Sequence, residues 1–192
     1  MTLLILGLIV FLGAHSLRIF ADSWRRAQIA RLGEGPWKGL YSLASIVGFV
    51  LLVWGFGRAR ADTLVLWQPP SWTHYLAAIF TLAAFVLVTA AYVPGTRIKG
   101  ALHHPMILGI KAWAFGHLIA NGTLADVVLF GSVLVWAIVD FAASRRRDRA
   151  AGTVYPAGTL ARDAIAIAIG VVTWAVFAFY LHGWWIGVRP FG

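Results

Sequence analysis

Six histidines are the residues of this chain best suited to bind a metal or a cofactor. The stretch from His103 to Gly122, HHPMILGIKAWAFGHLIANG, carries histidines at both ends of an otherwise apolar segment, and His15 lies inside the first apolar stretch. Histidine is costly within a lipid-embedded helix, so one found there is a candidate ligand. His15 and His117 are the deepest of the six and are the leading candidates for a shared site.

The other four histidines fall near the ends of apolar stretches. His74 and His182 lie near one predicted membrane interface, where a neutral imidazole can meet water, which favours a structural role. His103 and His104 lie at the opposite interface, at the start of the segment that carries His117.

Composition excludes an ordinary soluble domain. The 192 residues are 60% hydrophobic and 12% charged, with a mean hydropathy of +0.80, which is typical of an integral membrane protein. Nothing alternates as a barrel strand would, so the spans must be helices. The sequence predicts an all-α polytopic membrane helix bundle, one domain over 1–192, with a retained first helix and six transmembrane windows: 2–21, 39–57, 72–92, 105–121, 123–143 and 163–187.

Positive charge predicts the orientation. Eleven basic residues follow the first, third and fifth windows and three lie on the opposite side, so the positive-inside rule places the eleven in the cytoplasm and both termini outside. Juxtamembrane arginines orient the chain and contact the lipid bilayer, which favours lipid over nucleic acid as their partner. The eleven are Arg25, Arg26, Arg31, Lys38, Arg97, Lys99, Arg145, Arg146, Arg147, Arg149 and Arg162, against Arg58, Arg60 and Arg189.

Missing residue types narrow the chemistry. Without cysteine the chain has no disulfide, no thiolate ligand and no covalent haem attachment through a Cys-x-x-Cys-His motif. Glu34 is the only glutamate, and of the aspartates only Asp126 and Asp140 lie inside the predicted spans, since Asp163 is the first residue of the sixth window. A di-iron centre needs several inward glutamates, so desaturase or hydroxylase chemistry is disfavoured.

Two imidazoles on antiparallel helices are compatible with one haem between them. With a helical rise of about 1.5 Å per residue, His15 and His117 lie roughly 5 Å from the midplane on opposite sides, an offset that a shared haem permits but does not require. Arg18, one turn beyond His15, could pair with a haem propionate. Three residues share a helical stripe with His117: Ile110, Trp113 and Asn121. Of these, Trp113 and Asn121 are candidate cofactor-binding residues.

Each of these assignments has a plainer alternative. Arg18 could pair with Asp22 four residues later, Trp113 could be ordinary packing, and His15 could hydrogen-bond a neighbouring helix. Lys111 could extend to the interface or form a salt bridge. Small residues next to the stripe suit either close helix packing or a flat macrocycle: Gly109, Ala112 and Gly116.

Two motifs occur together in this chain. His15-Ser16 with Arg18 lies in the first span, and His104-Pro105 is followed by Gly109, Trp113, His117 and Asn121-Gly122. Their joint occurrence resembles the NnrU family, which includes the plant zeta-carotene isomerase. The resemblance implies a non-covalent haem b with His15 and His117 as metal ligands, and a catalytic requirement for His104. Bacterial members of the family are linked to nitrogen-oxide metabolism and denitrification, and the localisation expected for this chain is the bacterial inner membrane.

The resemblance implies two kinds of reaction: redox-gated isomerisation of a lipid-soluble polyene, or chemistry related to nitric oxide. Two departures from the pattern matter. Ala114 replaces a cysteine that takes part in ligand exchange in the isomerase, and His103 replaces the basic residue usual before His-Pro, which puts an anion contact there in doubt. Whether the protein is an enzyme, and whether copies of the chain associate, stay open.

Two other functions stay open beside haem-dependent catalysis. A haem-bearing sensor or partner subunit would bind the cofactor without turnover. A membrane methyltransferase is the other, because His104-Pro105 followed by Gly109 resembles part of the Arg-His-Pro-x-Tyr-x-Gly signature of isoprenylcysteine methyltransferases. That match is partial, since Ile107 replaces the tyrosine and no downstream glutamate exists to bind S-adenosylmethionine.

Overall fold

The computed structural model describes residues 1–191 as a helical bundle. The helices are α1 (Thr2–Phe20), α2 (Asp22–Leu32), α3 (Glu34–Ala59), α4 (Thr73–Tyr92), α5 (Arg97–Leu102), α6 (Pro105–Ala120), α7 (Leu124–Ala151) and α8 (Leu160–Ile186). A π-helical turn interrupts α7 at Val127–Gly131 and α8 at Phe177–Leu181. The all-α prediction is confirmed.

Each of the six predicted windows coincides with a helix. Five of these helices, α1, α3, α4, α7 and α8, are long and apolar enough to cross a membrane. The sixth, α6, is apolar but has 16 residues, or about 24 Å at the helical rise, against a hydrocarbon layer of about 30 Å. The short helices α2 and α5 lie outside the predicted windows; α2 is polar and has no buried residue.

Glycines set the closest helix pairs. A Cβ at Gly7 of α1 would lie 2.3 Å from the backbone nitrogen of Leu52 on α3, and a Cβ at Gly48 would lie 2.6 Å from that of Phe11. The sequence numbers run in opposite directions, so α1 and α3 are antiparallel. Absent side chains let the two backbones approach closely, as is common between membrane helices.

The pair α1 and α3 forms one group of helices, and a second group forms around α4. Gly109 of α6 lies against the Ala84 carbonyl, and Gly116 lies against Phe80. On the other side of α4, the Trp174 Nε1–H of α8 donates to Thr81 Oγ1 at 3.0 Å. The helix α7 packs against both groups, contacting α1 on one side and α6 on the other.

The connections gather at two ends of the bundle. At one end, Leu66 N–H donates to the Gly122 carbonyl and the Arg60 guanidinium donates to the Ile186 carbonyl. At the other end, Thr159 N–H donates to the Gly95 carbonyl at 3.0 Å. The same end joins α1 to α7, where Arg147 donates to the Arg18 carbonyl.

Candidate functional site

The imidazole of His15 is held by its own helix. Its Nδ1 lies 2.7 Å from the Phe11 carbonyl oxygen, one turn earlier. A carbonyl only accepts, so Nδ1 carries the proton and Nε2 keeps its lone pair. The ring is half-buried among Phe11, Tyr41 and Trp136, with the Trp136 ring edge-on and 6.0 Å away between centroids.

His117 repeats the arrangement on α6. Its Nδ1 donates to the Trp113 carbonyl at 2.8 Å, which again leaves the Nε2 lone pair for a ligand. The ring stacks on Phe130 with centroids 4.6 Å apart and planes at 25°. Asn121 Nδ2 donates to the His117 carbonyl at 2.8 Å, so the side chain of Asn121 completes the end of α6 in this structure.

Both candidate ligands contact the same helix, α7. Phe130 packs against His117 and lies within the π-helical turn Val127–Gly131; such turns are frequent at functional sites. Trp136, six residues later on the same helix, packs against His15. Its buried Nε1–H has no hydrogen-bond partner in the described structure. An unpaired donor in an apolar environment is costly. This N–H is therefore available to donate to a polar atom of a bound group.

The candidate donor atoms at this site are the two Nε2 atoms of His15 and His117. Within residues 1–191 no group of three or more His, Cys, Asp or Glu could hold a metal ion. Bis-histidine haem ligation needs only two imidazoles, each fixed through its other nitrogen. Intramembrane carboxylates have other roles: Asp126 accepts from Thr123 at the start of α7, and Asp140 pairs with Arg147.

The structure resolves some of the alternatives that the sequence left open. Asp22 pairs with Arg25 and Arg26 instead of Arg18, whose side chain is exposed. Gly109 and Gly116 contact α4 and therefore serve helix packing. Lys111 places its ammonium 4.0 Å from the centre of the Phe141 ring, a cation–π contact that was not among the predicted interactions.

Trp113 has packing contacts of the kind expected for a core aromatic residue. Its ring meets Phe130 at 5.1 Å and His117 at 4.9 Å, and it borders the buried apolar cluster. The same contacts place it beside the candidate ligand, so a role in shaping a cofactor pocket stays a prediction.

His104 belongs to a separate polar cluster at the start of α6. Its Nε2 lies 2.7 Å from Asp148 Oδ2 on α7, and the Tyr155 hydroxyl donates to the same oxygen at 2.9 Å. His103 stacks on Tyr155 with centroids 4.3 Å apart and hydrogen-bonds Arg145. Burial raises the pKa of Tyr155, and the hydrogen bond and charge of Asp148 raise it further.

A family model described as NnrU protein matches residues 3–190. The chain belongs to the NnrU family. No curated protein and no solved structure matches it.

Two features of this NnrU chain were missed by sequence reasoning. Asp148 and Tyr155 lie 44 and 51 positions from His104 in the sequence, and nothing local marks them as its partners. Arg145 reaches the ring of His103, so it brings a positive charge to the position where the family pattern expects a basic residue. Ala114, at the position of the isomerase cysteine, is fully buried.

Proposed function

We propose that this NnrU-family protein binds haem b non-covalently, with His15 and His117 as the axial ligands. The observation that carries the proposal is that both imidazoles pack on the same helix, α7, and are held in the same tautomer. Each donates its Nδ1–H to the carbonyl one turn earlier and keeps its Nε2 lone pair. A hydrogen bond from the second nitrogen is the usual companion of metal ligation by histidine, because it fixes the tautomer and the ring orientation.

Other groups of the chain would hold and shield the cofactor. The unpaired Trp136 Nε1–H beside His15 supplies a donor, and the exposed Arg18 supplies a cation for a propionate. The rings of Phe130 and Trp113 keep water from His117. The haem, when bound, would supply a redox-active iron centre that can bind or polarise a substrate.

A groove between α1 and α7 favours a lipid-soluble substrate. It passes Trp136, the residue that packs on His15, and its apolar rim includes the exposed side chains of Phe20 and Val135. A hydrophobic molecule could therefore enter sideways from the bilayer. We infer redox-gated isomerisation of a polyene as the leading reaction, with nitric oxide as the other ligand to test. The groove is lined by Leu12, Ser16, Phe20, Gly131, Ser132, Val135, Trp136 and Val139.

Absorption spectra test the haem proposal. Protein expressed with ample haem and reduced anaerobically with dithionite should show the sharp bands of low-spin haem. His15→Ala and His117→Ala should each lose them, since one axial ligand is missing. His74→Ala is the matched control, because His74 Nδ1 also bonds a backbone carbonyl, that of Ser71 at 3.1 Å. No Soret absorbance, or native haem content and band shape in both alanine variants, would contradict the proposal.

Product analysis tests the reaction. Haem-loaded protein in vesicles, incubated with a cis-polyene before and after reduction, should yield the trans isomer only in one redox state. Haem binding without isomerisation, together with a spectral response to nitric oxide, would favour the nitric-oxide reaction. Haem binding with no response to either would favour a sensor or partner subunit.

We also propose six spans with both termini outside the cytoplasm, in a bacterial inner membrane. The proposal is supported by the two groups of basic residues, which the helix connections gather at opposite ends. The chain has no cysteine, so single-cysteine variants report position directly. A membrane-impermeant maleimide added to intact cells should label Asp62→Cys and leave Arg31→Cys and Arg149→Cys unlabelled. The reverse pattern would overturn the orientation.

A further inference from the structure

We propose that Asp148 is the positioning residue for His104, and that Asp148 and Tyr155 make the His104 imidazole a base with its lone pair on Nδ1. The inference depends on the proposed function only for the task that His104 performs. It rests on contacts between the start of α6, the end of α7 and the segment that follows α7.

The hydrogen bonds fix the tautomer. An ionised carboxylate only accepts, and Asp148 Oδ2 receives both His104 Nε2 at 2.7 Å and the Tyr155 hydroxyl at 2.9 Å. The proton of the neutral imidazole therefore lies on Nε2. Nδ1 of His104 has no hydrogen-bond partner within residues 1–191 and keeps its lone pair.

The backbone holds the ring in place. His104 is the residue before the first turn of α6, and the following Pro105 is fully buried. His103 has a φ of 67°, a conformation that non-glycine residues rarely adopt and that surrounding contacts must maintain. Stacking on Tyr155 and the hydrogen bond with Arg145 supply those contacts.

The His104–Asp148 pair is partly exposed to solvent. The side chains of His104 and Asp148 are 19% and 18% exposed. A proton taken up at Nδ1 makes an imidazolium, whose charge Asp148 balances through the short Nε2–H bond; release from Nδ1 restores the starting state. Arg145 brings a positive charge to the cluster and hydrogen-bonds the His103 ring.

Nitrogen NMR of ¹⁵N-histidine-labelled protein in detergent tests the tautomer, with His104→Gln to assign the resonances. The native protein should show His104 protonated on Nε2. In Asp148→Ala the freed Tyr155 hydroxyl, 3.5 Å from His104 Nε2, becomes a donor to that nitrogen, so the proton should move to Nδ1. Asp148→Ala/Tyr155→Phe should show a mixture. Asp22→Asn removes a carboxylate that, among residues 1–191, pairs only with arginines of its own helix, and it should leave the tautomer of His104 unchanged.

Native protein with the proton on Nδ1, or Asp148→Ala that keeps it on Nε2, would overturn the inference. Should Asp148→Ala fail to fold, the native tautomer and Tyr155→Phe still decide it, because Tyr155→Phe should keep the Nε2 proton. These readouts need no haem, so a colourless protein would contradict the proposed function alone. If turnover is detected, the turnover rate of Asp148→Ala should fall to that of His104→Ala while its haem spectrum stays unchanged. A turnover rate of Asp148→Ala equal to that of the native protein would contradict the positioning role.

Discussion

Gly7 of α1 lies directly against the backbone of Leu52 on α3, with its missing Cβ positioned 2.3 Å from the Leu52 nitrogen. Gly55 makes the reciprocal contact, since a Cβ there would lie 2.4 Å from the Leu4 nitrogen. The two backbones touch where the chain has no side chain, and this contact fixes the position of the helix that carries His15.

Gly7→Val should therefore destabilise the protein. The added side chain collides with backbone that cannot move unless α1 and α3 separate, and overpacking of this kind costs about 1–3 kcal/mol or more. Thermal unfolding in detergent, followed by circular dichroism, measures the loss. Gly13→Ala on the same helix is the control, because among residues 1–191 no atom beyond its own helical turn lies within 4 Å of its Cβ position; its stability should change by less than about 1 kcal/mol. Equal stability of native protein and Gly7→Val would refute the close contact.

Thr81→Val should weaken the contact between α4 and α8. Thr81 Oγ1 is the acceptor for Trp174 Nε1, and interhelical hydrogen bonds in membranes contribute about 0.6–1.7 kcal/mol. Thr89→Val is matched in chemistry and helix, but Thr89 donates to the Phe85 carbonyl of its own helix. Unfolding in mixed detergent should show a loss for Thr81→Val that exceeds the loss for Thr89→Val.

Lys111 and Phe141 should be energetically coupled. The ammonium lies 4.0 Å from the ring centre, and a cation–π contact contributes about 0.5–2 kcal/mol. A double-mutant cycle with Lys111→Met and Phe141→Leu isolates that coupling from the separate packing effects. Strictly additive losses of unfolding free energy would mean that the pair does not interact.

Tyr155 should titrate above its ordinary pKa of 10.0, because burial and Asp148 both disfavour the phenolate. Because folding raises the pKa of Tyr155, the contribution of its neutral phenol to stability is fully present below pH 10. That contribution is lost as the pH rises through the pKa of Tyr155 in the folded protein. The phenolate absorbance of native protein minus that of Tyr155→Phe gives the midpoint. In the Asp148→Ala background the midpoint should move down toward 10, and a midpoint unaffected by Asp148 would contradict the hydrogen bond.

Much of the architecture could be predicted from the sequence because lipid leaves few choices. A backbone in hydrocarbon must satisfy its own hydrogen bonds, so every long apolar window becomes a helix, and α4 and α6 begin and end within a residue of their windows. The helix α2 escaped prediction because its 11 residues are too few, and on average too polar, to form an apolar window. The candidate ligands His15 and His117 could be named because histidine is rare within apolar helices.

The sequence alone determined that the chain forms apolar helices, which connections carry most of the positive charge, and which histidines lie within apolar stretches. Only the tertiary structure decided the partners: that Gly109 and Gly116 face α4, that α7 contacts both His15 and His117, and that Asp148 and Tyr155 reach His104. Helical periodicity states which residues share a face, but it does not state which helix that face meets. The partner of each helix face is decided by close packing of the whole bundle, because that packing depends on contacts between residues far apart in the chain.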